Sequence, residues 1–155
     1  MPVPAAAVVD ALQTSHRLHL TAVEHYATLG EHLDRWGYGK LGDRWRADAE
    51  EERGHLRAVE ARLEFYDTAP AMQHASPAWP RHDAVGQLQA SLSLEVAAAE
   101  AERANVLASR AAGDERSALV FADLLEGSEE SIRQIEADLR VIEQVGLDNW
   151  LQGMT

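Results

Sequence analysis

Between residues 41 and 66 the apolar positions recur at spacings of three and four. Leu41, Trp45, Val59, Leu63 and Tyr66 fall on one helical face, and Glu52 and His55 fall on the same face. A carboxylate and an imidazole are costly to bury unless something binds them. Glu-x-x-His on an inward helix face is the ligand pair that metal-binding four-helix bundles use. The pattern therefore matters most if other helices bring polar groups to the same level.

Three further runs do so. Residues from about Ala5 to Trp36 predict one helix with the inward stripe Val8, Leu12, Ser15, His19, Ala22, Tyr26, Leu29 and Leu33. Gly37-Tyr38-Gly39 ends it, and so short a link makes the second helix antiparallel to the first. The second helix stops near Asp67. A stretch with Pro70, Pro77 and Pro80 and no clear periodicity follows, to about His82. A loop that long is unusual in a compact domain. Geometry supplies its reason. A helix of about 26 residues spans about 39 Å, and an extended segment of about 16 residues covers roughly 50 Å. The loop can cross the full bundle and start a third helix parallel to the second.

That third helix is expected from about Asp83 to Ala112, with the stripe Val85, Leu88, Leu92, Glu95, Ala99, Glu102 and Val106. Glu95 lies deep in the run. Glu102, nearer the helix end, reads as a solvated flank. Gly113-Asp114 is a tight break, and the fourth helix runs from about Glu115 to Val145 with the stripe Ser117, Phe121, Leu124, Ser128, Ser131, Ile135, Leu139 and Ile142. Gly146 stops it, and Leu147 to Leu151 form a short terminal helix carrying Trp150. The fold expected is all-α: one domain over residues 1–155, a four-helix bundle with a long crossover between helices two and three.

Each stripe is interrupted by polar residues near its middle: His19; Glu52 and His55; Glu95; Ser128 and Ser131. With the helix directions argued above, all fall at one level. Two readings stand open. One is a metal site. The other is a buried polar layer that specifies helix pairing and binds nothing. A lone inward His19 would be a neutral, hydrogen-bonded core residue, so the alignment of the four stripes carries the argument.

Charge and composition narrow the choice of partners. The formal net charge is -12, which disfavours nucleic acid and favours cations. Lys40 is the only lysine among 14 basic residues. There is no cysteine, so disulfides, thiolate metal sites and cysteine nucleophiles are excluded. Met1 to Val9 lacks a basic n-region and is too short to be a signal peptide or to span a membrane, and a soluble cytoplasmic protein is expected.

Three stretches resemble bacterioferritin. His19-Leu-Thr-Ala-Val-Glu-His-Tyr26 with Arg35-Trp-Gly37 resembles that family's first helix and turn. Glu52-Arg-Gly-His55 matches its second-helix metal motif, and Val141-Ile-Glu-Gln-Val-Gly-Leu-Asp-Asn-Trp-Leu-Gln152 resembles its characteristic end. The resemblance implies a ferritin-like bundle with a small fifth helix, a 24-subunit iron-storage cage, a di-iron ferroxidase centre in each bundle and haem between paired subunits. It transfers only in part. Glu52, His55 and Glu95 match the family's metal ligands, but the first-helix glutamate position holds His19 and the fourth-helix Glu-x-x-His pair falls on Ser128 and Ser131. Glu129 and Glu130 are adjacent, but one residue on a helix turns a side chain about 100° away. His19, Glu52, His55 and Glu95 remain as a set for one divalent ion, iron or zinc. The family's axial haem methionine is replaced by Arg53, so haem is not expected, and an Arg53–Glu24 ion pair is expected to fill that place.

The functional expectation is an iron-storage cage subunit with an incomplete ferroxidase centre. It would be built from dimers as a homo-oligomer or together with a sister ferritin subunit whose centre is intact. A second apolar stripe on the first helix, Leu20, Val23 and Ala27, together with Leu56, suits that dimer contact. The alternatives are a mononuclear-metal enzyme and a metal-free structural protein on the same bundle.

Overall fold

A computed structural model describes residues 5–75 and 82–155. Five helices follow one another: α1 (Ala6–Arg35), α2 (Gly39–Phe65), α3 (Ala84–Ala111), α4 (Glu115–Val145) and α5 (Leu147–Gln152). The four long helices and the short fifth are those the periodicity predicts. Their ends differ from the expected ones by a residue or two, except for α4, which has the expected bounds. Pro77 and Pro80, expected in the crossover, lie outside the described residues.

Every position of the α1 stripe is buried, from Val8 to Leu33. Opposite it α2 buries Leu41, Trp45, Glu52, Val59 and Leu63, with His55 and Tyr66 half-buried. The two helices pack along their length and approach closely at two glycines. A Cβ on Gly30 would meet Arg46 Cγ at 2.7 Å, and one on Gly42 would meet the Gly30 carbonyl oxygen at 2.8 Å. Only a residue without a side chain fits either place.

α3 and α4 form the second hairpin. Asp83 caps α3 through the Gly86 amide, and Asp114 caps α4 through the Ser117 amide. The hairpins meet chiefly through α1 and α3, while α2 touches α4 sparingly. Between them the crossover lies along α1. The Gln13 side chain donates to the Ala69 carbonyl and accepts from the Ala71 amide, the Ala75 amide donates to Thr21 Oγ1, and His74 pairs with Glu24 at 3.0 Å. By His82 the chain has reached His32 and Trp36, near the far end of α1. The loop thus crosses the bundle and sets α3 parallel to α2.

Burial within the single chain corrects one expectation. Val23 and Leu56 are already buried within the single chain, so they are not a free apolar stripe awaiting a second subunit. Within the chain Glu24 pairs with His74, and Arg53 bonds Glu50 one turn back on its own helix at 3.3 Å. No helix among the described residues is long and apolar enough to cross a membrane.

The core is divided. One apolar cluster gathers Tyr26, Leu29, Leu33, Leu41, Trp45 and Leu88, closed by Ile135 and Trp150. The other gathers Val8, Leu12, Val59, Leu63, Phe121 and Leu124. Between them lies a layer of buried polar side chains.

Candidate metal centre

The layer is built from the middle of each long helix. On α1, Ser15 and His19 stand one turn apart, at 0% and 1% exposure. His19 is held at both ring nitrogens: Nδ1 lies 2.5 Å from Glu52 Oε2 and Nε2 lies 3.0 Å from Glu102 Oε1. An ionised carboxylate only accepts, so between two of them both nitrogens donate and the ring is favoured as an imidazolium. Burial disfavours that charge, but the hydrogen bonds to Glu102 and Glu52 outweigh it and lift His19 from 6.5 to about 10. The same contacts act on Glu52 in the opposite sense. Burial pushes its carboxyl up, and the hydrogen bond from His19 with the nearby His55 ring brings it down to about 2.

Glu102 is the residue the sequence placed wrongly. It is fully buried, not a solvated flank. Its Oε1 also accepts from Ser15 Oγ at 2.5 Å, and its Oε2 accepts from Asn105 Nδ2 at 3.1 Å. The signals were present in the chain. Glu102 lies seven residues after Glu95, Asn105 three after Glu102, and Ser15 four before His19. These spacings set them on the inward faces.

His55 completes the group from α2. Its Nδ1 is buried, 3.4 Å from Glu52 Oε1, and makes no hydrogen bond. Its ring lies over Gly127 of α4, where a Cβ would come within 2.6 Å of His55 Cε1. One ligand atom from each of His19, Glu52 and His55 fits within a sphere of contacts no wider than 4.8 Å. Glu95 stands outside that trio. It accepts a short hydrogen bond from the Tyr26 hydroxyl, and Tyr26 in turn stacks on Trp45 with ring centroids 5.1 Å apart. Burial, with the Glu52 charge beside it, pushes the Glu95 carboxyl up to about 8, so it is mostly neutral at pH 7.

The fourth helix contributes little. Ser128 is buried and its hydroxyl has no hydrogen-bond partner in normal geometry, though it lies near enough to Glu95 to oppose that upward shift. Ser131 is half-buried and lines a separate cavity of about 290 Å³ between α2 and α4, shared with Tyr26, Asp48, Glu51 and Glu130. Burial raises the Asp48 carboxyl there to about 6.

The converging donors could hold a divalent ion. Two imidazoles and a carboxylate converge, and the unbonded His55 Nδ1 faces the carboxylate across a gap that a cation can fill. A second ion would need ligands from α4, and α4 offers a bare glycine and two hydroxyls.

A profile of the ferritin-like domain matches residues 9–145. The bacterioferritin of Brucella melitensis is 27% identical over 145 residues, 94% of this chain and 90% of its own length. That of Streptomyces coelicolor is 27% identical over 139 residues, 90% and 83% of the two chains. That of Mycobacterium avium is 23% identical over 129 residues, 83% and 81%.

Proposed function

Because the chain belongs to the ferritin-like family, we propose that it is a shell subunit of a bacterioferritin-type iron store whose own bundle does not run paired-iron oxidation. The observation that carries this reading is the composition of α4 at the polar layer: Gly127 under the His55 ring, Ser128 without a bond, and Ser131 turned to another cavity. Paired-metal chemistry needs carboxylates that bridge and ligands from facing helices. Here Glu52 and Glu102 are committed to His19, and Glu95 to Tyr26.

His19, Glu52 and His55 would hold at most one divalent ion, iron or zinc, with Glu95 as fourth ligand or hydrogen-bond acceptor. Such an ion would bring positive charge to the layer and a Lewis-acidic centre. The chain's own residues orient the imidazoles and exclude water from around them. Haem is not held through residue 53, where an arginine paired with Glu50 offers no axial ligand. The oxidation step then falls to a sister subunit with an intact centre, in a cage assembled from dimers.

Two measurements test this. Light scattering on the purified chain, alone and mixed with an intact bacterioferritin subunit, should show a large closed assembly. A clean monomer at micromolar concentration overturns the shell role. Calorimetric titration with Fe²⁺ under anaerobic conditions should show no more than one tight site per subunit. Two tight sites, or rapid oxygen-dependent iron oxidation, overturn the incomplete centre. A small oligomer with one tightly held ion would instead favour the mononuclear-metal enzyme, a reading that the convergence of His19, Glu52 and His55 supports.

A further inference from the structure

Glu102 has no place in the ligand set above, yet both of its carboxylate oxygens are hydrogen-bonded. A fully buried carboxylate is expensive unless its oxygens are satisfied. Its Oε1 accepts from Ser15 Oγ and His19 Nε2, and its Oε2 accepts from Asn105 Nδ2, an amide that also reaches the Ala11 carbonyl at 3.4 Å. Two of these donors stand on α1 and the third one turn along α3, so Glu102 ties the two hairpins together at the level of the site.

We infer that Glu102 is a positioning residue for divalent-ion binding: it holds the Nε2–H of His19 and so presents Nδ1 toward Glu52 and His55. This rests on the metal-site reading of the previous subsection. A neutral imidazole has one N–H and one lone pair, and the hydrogen bond made by one nitrogen decides which is which. In the metal-free layer Nδ1 also donates, to Glu52 at 2.5 Å; an ion that displaces that proton meets Nδ1, because Nε2 stays bonded to the Glu102 carboxylate at 3.0 Å. A carboxylate behind a ligating histidine fixes the ring and raises its basicity. Ser15 and Asn105 serve that carboxylate in turn. Glu102 is outside the trio whose atoms converge, so it acts through His19.

The test uses Zn²⁺ alone, titrated into the assembled full-length protein. Glu102→Gln keeps the shape and a neutral acceptor, and should weaken zinc affinity about ten- to hundredfold. In a His19→Ala background the same change should add no further loss. Ser15→Ala, which loosens Glu102 without touching His19, should weaken affinity in the same direction by a smaller factor, and serves if Glu102→Gln does not fold. In the zinc-loaded wild type, ¹⁵N NMR should find His19 protonated at Nε2 and not at Nδ1. Unchanged affinity in Glu102→Gln, an equal loss in the His19→Ala background, or a proton on Nδ1 overturns the role of Glu102 alone. A wild-type protein that takes up no zinc overturns the metal-site reading itself, and this inference with it.

Discussion

The polar layer has two walls, and they are built on different terms. On the wall made by α1, α2 and α3, Ser15, His19, Glu52, Glu102 and Asn105 form a continuous set of hydrogen bonds. On the α4 wall, Gly127 has no side chain and Ser128 has no bond. Two carboxylates and one imidazolium leave a single net negative charge. Had α4 also supplied a carboxylate and a neutral imidazole, that charge would double, and bound cations would be needed to offset it. The difference shows how one wall of a buried polar layer can be closed by its own hydrogen bonds: His19 offsets part of the charge of Glu52 and Glu102.

The largest test of that view removes the imidazolium. His19→Leu fills most of the volume but leaves Glu52 and Glu102 buried with one partner fewer each. Breaking a buried ion pair from one side costs about 3–5 kcal/mol. Urea unfolding of the metal-free protein should show a loss of that order. A loss under about 1 kcal/mol would mean that water enters the layer and that the bonded wall is not bonded in solution.

Acidity tests the same wall more gently. His19 is held at about 10 against an ordinary 6.5, so its stabilisation is complete below about 6.5 and is lost as the pH climbs through about 10. Glu95, held at about 8 against 4.5, acts in the same direction and finishes earlier. Glu52, held at about 2, does the reverse: its contribution is present above 4.5 and lost as the pH falls through about 2. The metal-free protein should therefore lose on the order of a few kcal/mol between pH 6.5 and 10. His19→Gln should abolish the part of that slope above about pH 8, where Glu95 has already ionised. An unchanged slope in His19→Gln would assign the alkaline loss to other groups.

How much of this was legible in the chain depends on what sets each feature. The α1 stripe is regular from Val8 to Leu33, and every member is buried, because one face of a long helix meets the core along its whole length. The face of Glu102 was also legible. Its depth was not, because depth depends on what packs opposite, and Ser15 of α1 closes over it only once the hairpins meet. The docking of the crossover on Gln13, Thr21 and Glu24 had no periodic signature at all, since irregular chain carries none. His55 was legible as inward facing, whereas its seat on Gly127 is a matter of contact between two helices distant in sequence.

Gly127 gives the third test, at the seam between the walls. A Cβ there would come within 2.6 Å of His55 Cε1, the far end of a side chain that can swing aside. Gly127→Ala gains about 1 kcal/mol of helix propensity, which offsets much of the cost of moving the ring. Stability should change little. Divalent-ion affinity should fall about tenfold, roughly 1.4 kcal/mol, because His55 leaves its place beside Glu52. Thermal melting with a Zn²⁺ titration separates the two effects. Intact affinity would remove His55 from the ligand set.

The smallest effect is the most direct comparison, since one chemical change can be made on both walls. Ser15 and Ser128 are each 0% exposed. Ser15 Oγ donates to Glu102 at 2.5 Å, so Ser15→Ala strips a donor from a buried carboxylate, a loss of about 1–3 kcal/mol. Ser128→Ala removes a hydroxyl that has no hydrogen-bond partner. A buried hydroxyl without a bond is itself a cost, and alanine is the better helix former, so the change should lie within about 1 kcal/mol and lean toward stabilisation. It should also let the Glu95 carboxyl rise further, because Ser128 opposes that shift. Parallel urea titrations at pH 6, where Glu95 stays neutral in both proteins, measure the two serines without that second effect. If both substitutions cost the same, the walls are alike, and α4 supplies a hydrogen bond to the layer that its geometry here does not contain.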